Sequence, residues 1–348
     1  MILHSRPTID ENDILAVSGV LRSGNIAQGS VVEKFEQELA GYIGVKEGVA
    51  TSSGTAALHL ALLALNITRK DTVAMPSYVC TAVLNAVNYV GALPLLIDTH
   101  PDTFHMDVGD LKRKLTPQVK VIIVPHSFGL AADLEEIIAL GIPLVEDCAQ
   151  SIGATYKDKL TGSFGDISIF SFYATKMITT GEGGMVVSNA EELSRRIRDL
   201  RDYDNKGNYV TRYNYKMTDF QASLGLSQLK RLNHFIEIRR SIAQKYNSEL
   251  KNFCSLPANH GNDSQHIYYR YTVKLRHDAE SFLKLSREKG INCERPVFKP
   301  LHRYLDLSGF TNTDNVWEKA VSIPIYPTLT EKNMNTIIEF VKNTASGL

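Results

Sequence analysis

Short apolar runs that alternate with helical segments limit most strongly what this chain can fold into. The runs are rich in β-branched residues and lie between turn residues, which is typical of buried strands. Strands that alternate with helices form a mostly parallel sheet with helices on both faces, so we predict an α/β fold. Ligands of such sheets bind beyond the carboxyl ends of the strands. We predict strands over 72–75, 93–98, 119–125, 143–146, 167–172, 185–188 and 268–275, and helices over 31–44, 56–65, 81–89, 108–115, 132–139 and 191–203.

The length and the charge of the chain exclude several classes of protein. Its 348 residues exceed what one hydrophobic core usually organises, so we expect two domains. The 38 basic residues balance the 38 acidic ones without a long basic run, so we expect no nucleic-acid partner. The N-terminus lacks a basic stretch followed by an apolar core, and the apolar run 56–65 is too short to cross a bilayer. We therefore expect a cytoplasmic protein without a membrane partner.

The cysteines predict neither a metal site nor a disulfide scaffold. They are widely spaced, and the sequence contains no C-x-x-C pair and no H-E-x-x-H motif. We expect reduced thiols and no bound metal. The four residues are Cys80, Cys148, Cys254 and Cys293.

Lys176 is the single charged residue in a run that begins as a strand and ends at a glycine-rich turn. The run extends from residue 167 to residue 180, and the turn contains Gly181, Gly183 and Gly184. Apolar surroundings penalise the ammonium form of lysine, and a neutral amine can attack a carbonyl to form a Schiff base. The alternative is a surface lysine whose stem packs on the apolar segment while its amine stays in water.

Small hydroxyl residues and a glycine open the helix predicted over 56–65. The sequence there is Thr-Ser-Ser-Gly-Thr, from Thr51 to Thr55. The first amides of a helix have no intrahelical partners and lie at the positive end of its dipole, so they can hold a phosphate. The alternative is an ordinary N-cap formed by Ser52 or Ser53.

Polar residues follow the strand predicted over 143–146. Asp147 comes at its carboxyl end, on the ligand side of the sheet, and Gln150 follows three residues later. A carboxylate there favours the cationic form of a heteroaromatic nitrogen, and an amide can donate to a neighbouring oxygen. The alternative is that Asp147 caps the next segment and Gln150 is only a polar residue.

Pyridoxal phosphate requires all three of these features, namely a lysine, a carboxylate beside its pyridinium nitrogen and a phosphate anchor. Three motifs carry them: S-S-G-T-A-A-L-H-L-A, E-D-C-A-Q-S-I-G-A and F-S-F-Y-A-T-K-M-I-T-T-G-E-G-G. Further motifs are L-R-S-G-N-I-A-Q-G, R-Y-N-Y-K-M-T-D-F-Q-A-S-L-G-L-S-Q-L and S-I-P-I-Y-P. Over nearly its whole length the sequence resembles the DegT/DnrJ/EryC1/StrS family of sugar aminotransferases.

The resemblance implies a fold, a cofactor and a role for each matching residue. The fold is that of fold type I pyridoxal-phosphate enzymes, with a large domain over 1–232 and a smaller C-terminal α+β domain over 233–348. The assembly is a homodimer with shared active sites. Lys176 would carry the cofactor as a Schiff base, Asp147 would pair with the pyridine nitrogen, and Gln150 would contact the phenolic oxygen. The matching phosphate-binding residues are Gly54, Thr55 and Ser171, together with Asn214, which would reach the phosphate of the neighbouring subunit.

The sequence departs from the family pattern at two positions. Cys80 stands where many relatives place an aromatic residue against the pyridine ring. Tyr78 lies on the same side of an extended segment, and the sequence leaves open which of the two packs on the cofactor. Lys216 stands where relatives often have arginine, and it keeps the charge but loses the bidentate fork.

Two histidines stand near these motifs without a clear role. His302, in a P-L-H motif that resembles a family loop near the substrate, is expected to be structural, because a lone histidine usually is. His126, at the end of the strand predicted over 119–125, has no partner that the sequence identifies.

The resemblance predicts transfer of an amino group, with L-glutamate as the usual donor and a nucleotide-linked keto sugar as the acceptor. Two alternatives remain at this point. One is a sugar dehydratase that uses the same cofactor, although such relatives replace the Schiff-base lysine with histidine. The other is a regulatory protein without catalytic activity. The sequence does not name the sugar, its nucleotide or the carbon that is aminated.

Overall fold

The protein is described by a computed structural model, and the description covers residues 1–258 and 264–345. Within these residues the chain forms a large sheet covered by helices and a smaller C-terminal region, which confirms the predicted α/β fold. The strands are β1 (Glu47–Thr51), β2 (Thr72–Pro76), β3 (Leu93–Ile97), β4 (Val119–Pro125), β5 (Leu144–Asp147), β6 (Thr155–Tyr156), β7 (Lys159–Leu160), β8 (Ile167–Ser171), β9 (Gly184–Ser188), β10 (Ser264–Gln265), β11 (Tyr271–Lys274) and β12 (Ala320–Ile323).

The main sheet has seven strands in the order β1-β9-β8-β5-β4-β2-β3. Strand β9 runs antiparallel to both of its neighbours, and the other pairs from β8 to β3 are parallel. Since parallel strands end at the same edge, β2, β4, β5 and β8 deliver their carboxyl ends to one side of the sheet. Most of the residues predicted to bind the cofactor lie at or after these ends, whereas Gly54 and Thr55 follow β1 and Asn214 lies between α7 and α8.

Helices lie along the chain between the strands and around the C-terminal region. Asp10 begins the first helix with a capping box that includes Asp13. The helices are α1 (Glu11–Ser23), α2 (Ser30–Ile43), α3 (Gly54–Ala64), α4 (Thr81–Tyr89), α5 (Val108–Lys114), α6 (Glu135–Ile138), α7 (Glu191–Arg201), α8 (Asp219–Leu229), α9 (Leu232–Leu250), α10 (Ala279–Glu288), α11 (Leu301–Tyr304), α12 (Thr311–Lys319) and α13 (Glu331–Thr344), with a 3₁₀ turn at Ser127–Gly129.

The helix predicted over 132–139 is much shorter than expected. Only Glu135–Ile138 is helical. The amide of Ala132 donates to Nδ1 of His126 at 3.0 Å, and Asp133 accepts from the hydroxyl of Tyr156 at 2.7 Å, so side-chain contacts hold the residues before Glu135. Helix α1 and strand β1 are among the elements that the sequence analysis did not predict.

The C-terminal region has its own hydrophobic core. Strands β11 and β12 pair antiparallel, and α10 and α13 supply apolar side chains to the same core. Helix α9 belongs to two cores, because Phe235 packs with the large sheet whereas Tyr246 packs in the C-terminal core. Ile2 also packs in the C-terminal core, so the two ends of the chain meet there. The domain boundary predicted at residue 232 falls where α9 begins.

None of the helices in the described part of the chain combines the length and the apolar composition that a membrane crossing requires.

Candidate active site

A cavity of about 830 Å³ opens at the carboxyl ends of the central strands. One wall comes from the loops that follow β2, β4, β5 and β8 in the large sheet, and the other comes from the C-terminal region after residue 268. This is the position at which parallel α/β sheets bind ligands. Four of the predicted site residues line the cavity: Tyr78, Cys80, Gln150 and Lys176.

Lys176 stands in the loop between β8 and β9, where the sequence predicted that it would leave a core strand. Its amide donates to the carbonyl of Tyr173 at 2.8 Å, which closes a turn and directs the lysine away from the strand. The ammonium nitrogen lies 5.2 Å from the ring centroid of Tyr269, a cation–π contact. The side chain is half-buried in the cavity wall and is not the surface lysine of the alternative interpretation.

Asp147 is buried at the end of β5, and it interacts electrostatically with Lys176 and Cys80. Burial raises the pKa of its carboxyl, while the Ala149 amide, Lys176 and His126 act against that rise. In the described residues its one hydrogen bond comes from the Ala149 amide at 3.0 Å, and no cationic side chain lies within ion-pair distance. A buried carboxylate with so few partners fits a group that carries a positive charge, as a protonated pyridine does.

Glu146, the residue before Asp147 in β5, fixes this strand end through hydrogen bonds and was not singled out in the sequence. Its buried carboxylate accepts from Nε2 of His126 at 3.0 Å, and it also accepts from Gly162 and Gly165. Burial alone would raise the pKa of Glu146, but these donors lower it below its usual range. Cys148 lies within 4.8 Å of Glu146 and His126, yet the donors already occupy the carboxylate. Glu146 is therefore an anchor for the loop 162–165, and it is the partner that the sequence could not assign to His126.

The predicted phosphate residues meet at the start of α3. Ser53 caps the helix by accepting from the Ala56 amide at 3.1 Å, as the N-cap alternative proposed, and Gly54 and Thr55 form the first turn. Gly54 packs directly on the end of β8, since a Cβ atom there would lie 2.8 Å from Cβ of Ser171. The glycine is required by this close approach. The structure thus brings Gly54, Thr55 and Ser171 together beside a helix N-terminus that can bind an anion.

Gln150 holds the loop after β4 in an uncommon backbone conformation. Its Oε1 accepts from the amide of Phe128 at 2.9 Å, and Phe128 has a φ of 59°. Non-glycine residues rarely adopt this region, and such strained residues cluster at functional sites. The same loop then hydrogen-bonds across the cavity, because the amides of Ile267 and Arg270 donate to the carbonyls of Gly129 and Phe128 at 2.9 and 3.2 Å.

Tyr269 and Arg270 reach the cavity through these bonds, and sequence reasoning missed both. Gly129 permits the contact, since it has a φ of 98° and a Cβ atom there would lie 2.7 Å from the Tyr269 amide nitrogen. The sequence placed both residues in a strand predicted over 268–275, whereas β11 begins only at Tyr271. The run of tyrosines before this strand was the available signal, but nothing in the spacing related it to Lys176.

Tyr78 and Cys80 occupy different environments. Tyr78 is buried in a cluster with Phe104 and Phe128, with ring centroids 6.1 and 6.3 Å away. Cys80 opens onto the cavity. Desolvation by the cavity walls and the charge of Asp147 raise the pKa of its thiol, against the smaller opposing effect of Lys176. Cys80 thus stands beside the predicted cofactor residues, and Tyr78 shapes the wall behind it.

Asn214 lies in the segment between α7 and α8, which has no regular secondary structure. Its side chain is exposed. The neighbouring Tyr215 anchors the segment, because its carbonyl accepts from the Ser52 amide at 2.8 Å. Lys216 forms ion pairs with Asp202 and Asp204, each at 2.7 Å, and these pairs raise its pKa.

His302 is buried with both ring nitrogens engaged. Nδ1 lies 2.7 Å from Oγ of Ser77, and Nε2 lies 3.1 Å from Asp314. Its ring stacks on Phe310 at 4.7 Å. Burial lowers its pKa against the opposing effect of Asp314. This placement agrees with the structural role expected for the residue.

The chain is similar to known proteins over nearly its full length. The model of the DegT/DnrJ/EryC1/StrS aminotransferase family matches residues 7–342. A GDP-perosamine synthase from Vibrio cholerae is 32% identical over 365 residues, which cover 99% of each chain. A UDP-N-acetyl-3-dehydro-alpha-D-glucosamine 3-aminotransferase from Acidithiobacillus ferrooxidans is 32% identical over 362 residues, which cover 99% of this chain and 96% of the relative.

Solved structures show the same similarity. The PLP form of Spr1654 from Streptococcus pneumoniae, assigned as a sugar aminotransferase, superposes with a TM-score of 0.94 at 28% identity. The superposition covers 99% of this chain and 98% of that one. The resemblance, the fold and the cofactor expected from the sequence are therefore confirmed.

Proposed function

Because the chain belongs to the DegT/DnrJ/EryC1/StrS aminotransferase family and is a pyridoxal-phosphate-dependent sugar aminotransferase, we propose that it transfers an amino group from L-glutamate to a nucleotide-linked keto sugar. The observation that carries the proposal is that the buried Asp147 interacts electrostatically with Lys176 and Cys80, which both line the cavity. Two relatives are named for substrates or products attached to GDP and UDP, which supports a nucleotide-linked acceptor.

Each site residue has a separate task in this proposal. Lys176 binds the cofactor covalently between reactions, and Asp147 keeps the pyridine nitrogen protonated. Gln150 lies beside the phenolic oxygen. The phosphate is held by Gly54 and its neighbours Thr55 and Ser171.

Bound pyridoxal phosphate supplies an electrophilic carbon for the donor amine and a ring that withdraws electrons from the substrate. Once displaced by the incoming amine, Lys176 would take the proton from the α-carbon of the donor and, as a general acid, donate it to the carbon on the other side of the donor nitrogen, a 1,3-shift. The walls of the cavity keep bulk water from these protons. The same sequence in reverse delivers the amine to the keto sugar.

The dehydratase alternative is disfavoured by one residue. Relatives that dehydrate sugars have histidine in place of the Schiff-base lysine, and here Lys176 faces the cavity. A lysine in that position favours amino transfer.

A substrate screen tests the proposal. The purified protein is incubated with L-[15N]glutamate and a panel of GDP-, UDP- and dTDP-linked keto sugars, and the products are analysed by mass spectrometry. We expect 15N in one class of nucleotide sugar. Label only in a free amino sugar would contradict a nucleotide-linked acceptor. Amination by another 15N-labelled amino acid but not by glutamate would contradict glutamate as the donor.

We also propose that two subunits share each active site, with Asn214 of one chain completing the phosphate site of the other. Asn214 is exposed. The next residue, Tyr215, is hydrogen-bonded to the Ser52 amide, beside the phosphate site of its own chain. Helix α1 supports a dimer, since it leaves Leu15 60% exposed and Leu21 54% exposed. A symmetric dimer would use the same contact twice and form two equivalent sites.

A subunit-mixing experiment tests the shared site. Lys176→Ala removes the amine, and Asn214→Asp places a negative charge against the phosphate, so each variant alone is expected to be inactive. After dissociation and random reassociation, half of the dimers are mixed and contain one intact site, so activity should recover to about a quarter of the wild-type value. Absence of recovery, with subunit exchange confirmed by mass spectrometry, would show that each site lies within one chain.

A further inference from the structure

The cavity carries a strong excess of positive charge, although the chain as a whole has no net charge. Six basic side chains line it, against the two carboxylates of Glu280 and Glu294. Such a cavity attracts anions, and both substrates proposed above are anionic. The basic residues are Lys176, Arg270, Arg287, Arg295, Lys299 and Arg303.

Two of these guanidinium groups have structural partners. Arg295 and Arg303 both form cation–π contacts with Trp317, with Cζ atoms 4.2 and 4.1 Å from the ring centroid. Arg303 also donates to Asp314 at 2.7 Å, and Arg295 donates to Glu280 at 3.3 Å. Their donors are largely used within the C-terminal region, so neither is free to bind a substrate carboxylate with both arms.

Arg270 has an available guanidinium group. Its backbone amide donates a hydrogen bond to the Phe128 carbonyl, and its side chain is 19% exposed. Among the described residues, its guanidinium makes no hydrogen bond, and Nη1 is buried without a partner. Its one ion pair, to Glu294, is long at 3.8 Å. A buried donor without a partner is costly, and a planar carboxylate would satisfy it with two parallel bonds.

Arg270 and Lys176 line the same cavity and both contact the ring of Tyr269. The Cζ atom of Arg270 is 5.8 Å from the Tyr269 ring, and the amine of Lys176 is 5.2 Å from the same ring. Burial would raise the pKa of Tyr269, but the positive charges of Lys176 and Arg270 help to lower it to about 8. The two cations therefore create a positive potential at one place. The amine of an amino acid donor is one carbon away from its carboxylate, so a carboxylate receptor has to lie near Lys176.

Lys216 does not offer this function within the chain, because its amine is engaged by Asp202 and Asp204. We propose that Arg270 binds a carboxylate of the amino donor and positions the donor amine for exchange at Lys176. The inference rests on the proposed function, since it assumes that the donor is an amino acid. The acceptor diphosphate is the other possible oxyanion, and the experiment separates the two.

The test measures binding of glutarate, a dicarboxylate without an amine, to the pyridoxal-phosphate-loaded enzyme by titration calorimetry. Arg270→Gln should weaken glutarate binding by about 10- to 100-fold, as expected for loss of charged hydrogen bonds. Arg270→Lys keeps the positive charge but cannot form two parallel hydrogen bonds, so its affinity for glutarate should lie between those of the wild type and Arg270→Gln. Arg287→Gln is the matched control, because it removes a charge from the exposed rim of the same cavity and should leave glutarate binding within about twofold. Binding of UDP and GDP should change little in all three variants.

Unchanged glutarate affinity in Arg270→Gln, or a loss matched by Arg287→Gln, would overturn the inference. A loss of UDP or GDP binding with glutarate binding retained would assign Arg270 to the acceptor instead, and absence of glutarate binding to the wild type would also refute it. Thermal unfolding of each variant checks the fold, and Arg270→Lys serves as the second variant if Arg270→Gln does not fold. Since the assay contains no keto sugar, failure to aminate any nucleotide sugar would overturn the proposed acceptor and leave this result standing.

Discussion

Replacement of Lys176 with alanine is expected to reduce turnover by about 10⁴-fold or more, at the upper end of what a general acid–base group contributes. The variant loses both the covalent link to the cofactor and the amine that moves the proton. The fold should persist, because Lys176 lies in a loop, is half-buried and donates no side-chain hydrogen bond among the described residues. Steady-state kinetics and circular dichroism measure the two effects.

Lys299→Ala is the matched control for this prediction. Lys299 lines the same cavity, and its amine lies 4.5 Å from the Tyr304 ring. A surface cation of this kind contributes little, so turnover should remain within about tenfold of the wild type. Near-normal transamination by Lys176→Ala, or equal losses in the two variants, would refute the role of Lys176.

The second large effect is expected from Asp147→Asn. The amide keeps the size of the side chain but replaces a charge with a neutral dipole, so the proton on the pyridine nitrogen loses its partner. The half-reaction with glutamate should slow by about 10²–10³-fold, comparable to loss of one preorganised electrostatic group. Cofactor affinity should change less, because the phosphate contacts at Gly54 and Ser171 are untouched.

Single-turnover kinetics with L-glutamate measure the half-reaction, and fluorescence titration measures cofactor affinity. Asp166→Asn is a suitable control, since Asp166 accepts from the Leu144 amide at 2.8 Å at the opposite end of the strands. That variant should keep the half-reaction rate. An unchanged rate in Asp147→Asn would limit Asp147 to its hydrogen bond with the Ala149 amide.

The sequence predicted best what depends on local pattern. The strand over 119–125 and the helix over 81–89 agree with the structure at both ends, because their periodicity and turn residues are local signals. Lys176 was singled out as the one charged residue of an apolar run, and Asp147 as a carboxylate at the end of a strand, which are also local signals. The parallel sheet then brought those ends together without further information from the sequence.

The rest depends on contacts between distant parts of the chain. Tyr269 follows Lys176 by more than ninety positions, and it reaches the cavity only because Gly129 allows the loop after β4 to approach it. Glu146 looked like an ordinary strand residue, and its role required backbone donors from the loop 162–165. The segment predicted to begin a helix at Ala132 is not helical, and the Ala132 amide donates instead to the ring of His126, a contact between two loop residues. No spacing rule encodes such pairs.

The most direct test of the account is the position of the covalent link between protein and cofactor. The pyridoxal-phosphate-loaded enzyme is reduced with sodium borohydride, digested, and analysed by tandem mass spectrometry. The account predicts a phosphopyridoxyl group on Lys176 and no other lysine, and predicts that L-glutamate added before reduction removes it. A modified lysine elsewhere with Lys176 unmodified, or a label on Lys176 that glutamate does not displace, would contradict the assignment of this cavity as an aminotransferase active site.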